Sequence, residues 1–220
     1  MLLYYITDRG AFPGDEASRR RALLARIAAA ARAGVDLIQL REKDLPARQL
    51  EQLAAEAVRQ VRSESAATRL LVNSRLDVAL AVGTDGVHLT ADDISPGDVR
   101  SVLATQSSQL GASFLVGVSC HSVDDVRRAQ AKGASFAVLA PIFEKPLRER
   151  TSLPGIGLDA LREAAHNCAP LPVLALGGGS LSNAAACLCA RAAGIAGIRL
   201  FQQRDLAETV AALRRLAANP

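Results

Sequence analysis

A short unit recurs along this chain and constrains its fold more than any other feature. It reads AGVDLIQL at 33–40, VGTDGVHL at 82–89, KGASFAVL at 132–139 and AGIAGIRL at 193–200. In each copy a helix-prone stretch runs into a glycine, and an apolar, β-prone run follows. Glycine ends a helix at little cost because it accepts the left-handed backbone conformation. A short apolar run bounded this way predicts a buried strand. Further strand candidates lie at 2–7, 69–73, 114–119 and 172–177. Helical segments fill the gaps, near 18–33, 46–63, 74–82, 96–105, 122–132, 158–167, 181–192 and 205–217. Strict alternation implies a parallel sheet with right-handed crossovers. Eight such units in 220 residues predict an α/β chain forming a single-domain (β/α)8 TIM barrel over residues 1–220. A doubly wound open sheet fits less well. It uses fewer strands and a glycine fingerprint after the first, where this chain has ITDRGAF.

Composition agrees with helices packed on a parallel sheet. Half of the residues are hydrophobic but only 3% are aromatic, so Ala, Leu, Val and Ile must build the core. The net charge is +4, and the basic residues are spread over amphipathic stretches such as RRRALLARIAAAARAG. No basic block is interleaved with aromatics, which argues against nucleic-acid binding. A mild positive excess suits anionic small molecules. The four cysteines (Cys120, Cys168, Cys187 and Cys189) form no CxxC pair and read as free thiols in a reducing compartment. MLLYYITDRG lacks a basic region before its apolar run, and no run reaches membrane length. The expectation is a cytoplasmic protein with no membrane partner.

Barrel chemistry sits at the C-terminal ends of the strands. Polar residues gather there in this sequence, most densely in IQLREKDL at 38–45. Gln39, Arg41 and Lys43 are two apart, so an extended backbone would point them the same way. An amide and two cations on one side could hold a phosphate or diphosphate. Alternatively these charges form an ion-pair cluster with Glu42 and Asp44 over the barrel rim. LGGGS at 176–180 lies between a strand and a helix, where glycine amides and a helix start favour an anion. Asp92 and Asp93 could hold Mg²⁺ with a substrate diphosphate, or simply supply charge to the start of the following helix. His121, in VSCHS, reads as an acid–base residue or as part of a helix start capped by Ser119 or Ser122. The segment 144–153, with its charges and Pro146, reads as a mobile loop.

In order, YYITD, IQLREKD, LLVNSRLDVALAVGTDGVHL, VGVSCHS, APIF and ALGG resemble the thiamine phosphate synthase/TenI superfamily, from about residue 3 to about 203. The resemblance implies a transferase that joins hydroxymethylpyrimidine diphosphate to thiazole phosphate, with Mg²⁺ neutralising the leaving diphosphate. By motif match, Gln39, Arg41, Lys43 and Asn73 would contact the diphosphate substrate. Asp93 would bind Mg²⁺, and Ser119 would lie near the pyrimidine. Amides of Gly177, Gly178, Phe201 and Gln202 would hold the thiazole phosphate. The chain departs from the synthase pattern in three places. Ser74 stands where a metal-binding Asp is usual. A T-x-T-K loop is replaced by PIFEKPLRERTS, which puts Lys145 at the first threonine and Arg148 at the lysine. Arg199 occupies the last strand, where a small or apolar residue is usual, and is expected to face Glu144 or a ligand phosphate. These departures keep two alternatives open: a TenI-type thiazole tautomerase using His121, and an inactive phosphate-binding barrel.

Overall fold

The computed structural model describes residues 1–106, 113–146, 152–178, 180–202 and 205–218. Eight parallel strands close into a barrel: β1 (Leu2–Ile6), β2 (Leu37–Leu40), β3 (Arg69–Asn73), β4 (Gly86–Leu89), β5 (Leu115–Cys120), β6 (Phe136–Leu139), β7 (Val173–Ala175) and β8 (Gly194–Gly197). Each strand pairs with its neighbour in the chain, and β8 closes on β1. Around them lie α1 (Glu16–Arg32), α2 (Ala47–Glu64), α3 (Leu76–Val82), α4 (Pro96–Gln106), α5 (Val123–Ala131), α6 (Gly157–Asn167), α7 (Leu181–Cys189) and α8 (Leu206–Ala218). Smaller elements escape the sequence pattern. They are a 3-10 turn at Arg9–Ala11, a four-residue helix at Arg199–Gln202, and a two-residue ribbon pairing Lys145–Pro146 with Ser152–Leu153.

The recurring unit has a physical basis at the N-terminal end of the barrel. Gly34, Gly83 and Gly133 follow helices with positive φ (85°, 67° and 79°). Two residues on, a side chain caps the start of a neighbouring strand. Asp36 accepts from the Leu3 amide at 2.6 Å, Asp85 from Leu70 at 2.8 Å and Ser135 from Val116 at 3.0 Å. These caps satisfy backbone donors that would otherwise be left at the sheet end. The fourth copy works differently. Here the left-handed residue is Arg191 (φ 67°), and Gly194 lies within β8. A Cβ at Gly194 would sit 2.1 Å from Leu2 O, so this glycine permits the close approach of β1.

Burial separates the core into two layers. The outer faces of the strands pack on one stripe of each helix, as with Leu50, Leu53, Ala54, Ala57, Val58 and Val61 of α2. The inner layer fills the barrel and is built around Tyr4, Ile6, Leu37, Leu71, Phe136, Val138, Leu174 and Ala196. Arg214 of α8 ties the ends of the chain together, donating to Met1 O at 2.6 Å, Gly34 O at 2.8 Å and Asp36 at 2.8 Å. Among the described residues no helix is long and apolar enough to cross a membrane.

One strand assignment is corrected. β8 stops at Gly197, and Arg199 opens the short helix with an exposed side chain. The chain turns there because Leu200 folds back over Gly197, where a Cβ would meet the Leu200 Cβ at 3.1 Å. Arg199 is therefore not inside the barrel, and no ion pair joins it to Glu144 among the described residues.

Candidate active site

β2 ends at Leu40, and the alternation expected for Gln39, Arg41 and Lys43 ends with it. Gln39 is buried within the barrel, Arg41 is half-buried beyond the strand, and Lys43 is exposed in a turn. The three side chains therefore do not share one extended face. The reason is Glu42, which turns inward to a buried arginine 33 residues earlier in the chain. Arg9 Nη1 donates to Glu42 at 3.2 Å and to Asp44 at 2.7 Å, its Nη2 to Asp44 at 2.7 Å, and its Nε to Glu16 at 2.7 Å. The Thr7 hydroxyl donates to Glu42 at 2.6 Å and accepts from the Arg41 amide at 2.9 Å. Hydrogen bonds donated to Asp44 raise the Arg9 pKa, so its guanidinium stays charged. Burial raises the Glu42 carboxyl, opposed by bonds from Thr7 and Arg9. Glu42 and Asp44 do form an ion-pair cluster, but its cation is Arg9 and not Arg41 or Lys43 as foreseen. Arg41 and Lys43 take no part in it and remain at the rim as candidate anion contacts.

Below Arg41 a polar line crosses the barrel interior. Gln39 Nε2 donates to Tyr4 OH at 2.9 Å, Tyr4 OH lies 3.0 Å from His88 Nδ1, and His88 Nε2 lies 2.9 Å from Ser119 Oγ. Burial lowers the His88 pKa to about 3, with Arg41 adding to the effect and Asp93 opposing it. The imidazole is therefore neutral. Ser119 lies half-buried near the C-terminal end of β5.

Asn73 and Ser74 follow at the end of β3. Asn73 Nδ2 donates to Ser74 Oγ at 2.8 Å, and the Ser74 amide to His88 O at 2.8 Å. Ser74 has φ 62°, an uncommon conformation for a residue with a side chain. Asp93 Oδ2 accepts from the Thr90 amide at 2.6 Å and the Thr90 hydroxyl at 2.9 Å. Charge at the start of α4 comes instead from Asp98, which accepts from the Ser95 amide and hydroxyl. Among the described residues no three His, Cys, Asp or Glu side chains group as metal ligands. Asp93 could give a hard cation one carboxylate, with the rest of the shell coming from substrate phosphate and water, as is usual for Mg²⁺.

The loop after β7 is tightly framed. Gly177 and Gly178 have φ 97° and 64°. A Cβ at Gly177 would meet Pro141 at 2.7 Å, and one at Gly178 would meet Phe143 at 2.7 Å. Gly177 O accepts from the Phe143 amide, and Gly178 O from Asn183 Nδ2 at 2.9 Å. In a trans peptide N–H and C=O point oppositely, so the Gly178 N–H faces away from Phe143. Asn183 and Ser180 form a capping box that holds the loop to α7. The Phe201 amide, expected to contact the thiazole phosphate, donates to Ile198 O at 3.1 Å at the start of the short helix. The Gln202 side chain is also turned inward, donating to Asp8 O at 2.8 Å. His121 lies exposed after β5, with Nδ1 2.8 Å from Ala140 O. A carbonyl only accepts, so Nδ1 donates to it. Ser122, not Ser119, caps α5. Arg148 and the side chain of Lys145 lie outside the described residues.

Sequence reasoning gave no role to Arg9, Tyr4 or His88, although Arg9 and His88 stand among the polar residues at the ends of the first and fourth strands. Tyr4 and His88 carried one signal: each is a polar aromatic between apolar neighbours on a strand that faces the barrel interior.

Comparison with known proteins agrees with this architecture. The family described as thiamine monophosphate synthase matches residues 3–201. A thiamine-phosphate synthase of Methanoculleus marisnigri is 39% identical over 218 residues, 98% of this chain and 95% of the relative. One from a Roseiflexus species is 39% identical over 195 residues, 89% of this chain and 75% of the relative. A solved thiamine phosphate pyrophosphorylase from Pyrococcus furiosus superposes with a TM-score of 0.79 at 27% identity, covering 99% of this chain and 95% of that one. The chain belongs to the thiamine monophosphate synthase family.

Proposed function

We propose that this protein is a thiamine-phosphate synthase, condensing hydroxymethylpyrimidine diphosphate with thiazole phosphate. The observation that carries the reading is the division of labour at the end of β2. Arg9 neutralises Glu42 and Asp44, which leaves Arg41 and Lys43 as cations at the barrel mouth. In the reaction the bond between the pyrimidine methylene and the diphosphate breaks, and its electron pair leaves with diphosphate. The thiazole nitrogen then gives its lone pair to the methylene carbon. Catalysis of this kind needs fixed charge for the leaving group and alignment of two rings. Arg41 and Lys43 supply the charge, Asn73 stands beside them at the end of β3, and Ser119 faces the pyrimidine. The Gly177–Gly178 turn takes the thiazole phosphate. Asp93 would hold Mg²⁺ together with the substrate diphosphate, and the ion would supply positive charge to the leaving group. With Ser74 in place of a carboxylate, the protein's own share of that site is small.

The test is diphosphate release from the two substrates by the wild type and by Arg41→Ala. Loss of a charge-assisted contact made in the transition state should cut kcat/KM by about a hundredfold or more, with the fold retained. An Arg41→Ala enzyme with full activity would contradict the reading. The exposed imidazole of His121, its Nδ1 held by Ala140 O, favours a second reading, proton transfer on a thiazole carboxylate phosphate. If that is the activity, His121→Asn stops ring isomerisation while condensation is absent in the wild type.

A further inference from the structure

The polar line inside the barrel has a direction, and that direction is fixed by hydrogen-bond valence. Gln39 Nε2 can only donate, so Tyr4 OH accepts from it; the Tyr4 hydroxyl is fully buried and His88 Nδ1 is its one other partner among the described residues, so its own proton goes there. Nδ1 is then the acceptor nitrogen. The ring is neutral, so its single proton sits on Nε2 and points at Ser119 Oγ, 2.9 Å away. Ser119 accepts there, and its own hydroxyl proton is left to donate. The ring cannot turn to relieve this order. Tyr4 and Phe136 pack against it with centroids 5.6 and 6.0 Å away. Opposite it lies Gly117, where a Cβ would come within 2.7 Å of Nδ1 and 2.4 Å of Phe136 Cζ.

We propose that His88 is a positioning residue: held as the Nε2–H tautomer by Gln39 and Tyr4, it turns the Ser119 hydroxyl proton toward the barrel mouth, where it donates to the pyrimidine diphosphate. The inference rests on the synthase reading above for the identity of that ligand. A diphosphate and a pyrimidine ring present oxygen and ring-nitrogen acceptors, so a donor is what the mouth needs. Reversing the line would turn the Ser119 proton inward and leave only lone pairs facing an anion.

The test combines nitrogen-15 ring spectra with a double-mutant cycle. The chain has three histidines, and His88 is assigned by the signals lost in His88→Gln. His88 should show the Nε2–H tautomer throughout the neutral pH range, and Tyr4→Phe should admit the Nδ1–H form. Tyr4→Phe and His88→Phe should each raise KM for hydroxymethylpyrimidine diphosphate about tenfold, the scale of one hydrogen bond to a charged group. His88→Gln keeps an N–H for Ser119 and should recover most of that loss. In a Ser119→Ala background neither change should cost anything further. An Nδ1–H tautomer in the wild type overturns the proposal. So does an undiminished effect of Tyr4→Phe in the Ser119→Ala background, which would mean a purely structural role. A wild type that forms no thiamine phosphate would refute the synthase reading alone, and the tautomer would still decide the direction of the line.

Discussion

At the scale of single residues, the site is organised by a buried arginine whose importance is long-range. Arg9 meets Glu42 and Asp44 across 33 and 35 residues of sequence. No local pattern announces such a pair, whereas Arg41 and Lys43, the proposed anion contacts, stand out in their motif. Removing one partner of a buried ion pair leaves the other uncompensated, at a cost of about 3–5 kcal/mol. Arg9→Met should therefore lower the unfolding free energy by roughly that amount in urea titrations. A change near zero would mean that the Thr7 hydroxyl and the backbone amide of residue 9 satisfy Glu42 without the guanidinium. Ser74 makes a separate prediction. Asp tolerates positive φ better than Ser and is a far better ligand for a hard cation. Ser74→Asp should tighten Mg²⁺ binding about tenfold in calorimetric titration with inorganic diphosphate present, without loss of stability. Unchanged Mg²⁺ affinity would place the ion away from β3.

At the scale of elements, local pattern predicted which segments are strands and helices, and tertiary contacts decided where they stop. RLLVN at 69–73 is a strand over its whole predicted length, because its apolar run is bounded by a polar residue at each end. β2 fails as a longer strand because Glu42 is pulled inward by Arg9. β8 fails to include Arg199 because the chain folds back over Gly197. The glycine of the fourth repeat is in a strand because β1 needs room, a requirement invisible in the repeat itself. Gly117 shows the same kind of requirement inside the barrel. Gly117→Ala must displace His88 or Phe136, and overpacking of this sort costs about 1–3 kcal/mol. Thermal melts should show a corresponding fall of roughly 2–4 °C per kcal/mol. A variant as stable as the wild type would show that the His88 ring has room to move.

At the scale of the whole molecule, the alternation of eight strands and eight helices was legible because its period is set by covalent geometry and burial. The candidate site could be proposed from sequence where a motif lies beside a strand end, as with Gln39, Arg41, Ser119 and Gly178. It was not where function depends on the barrel interior, since neighbours across a closed sheet are far apart in sequence. His88 and Tyr4 are 84 residues apart. That interior also sets a pH response. The His88 pKa falls from 6.5 to about 3 on folding, so below 6.5 the unfolded chain binds the proton that the folded one refuses. Stability should be full above that point and fall as pH drops toward 3, by about 1.4 kcal/mol per pH unit for this one group. The His88→Gln protein should lose stability less steeply over the same window, and parallel curves would mean that His88 is protonated in the fold. The central claim is that this barrel condenses two phosphorylated rings despite Ser74 and its altered loop. Its most direct test is formation of thiamine phosphate by the purified protein from hydroxymethylpyrimidine diphosphate and thiazole phosphate, with and without Mg²⁺. Metal-dependent product is the predicted result; no product at high enzyme concentration would contradict it.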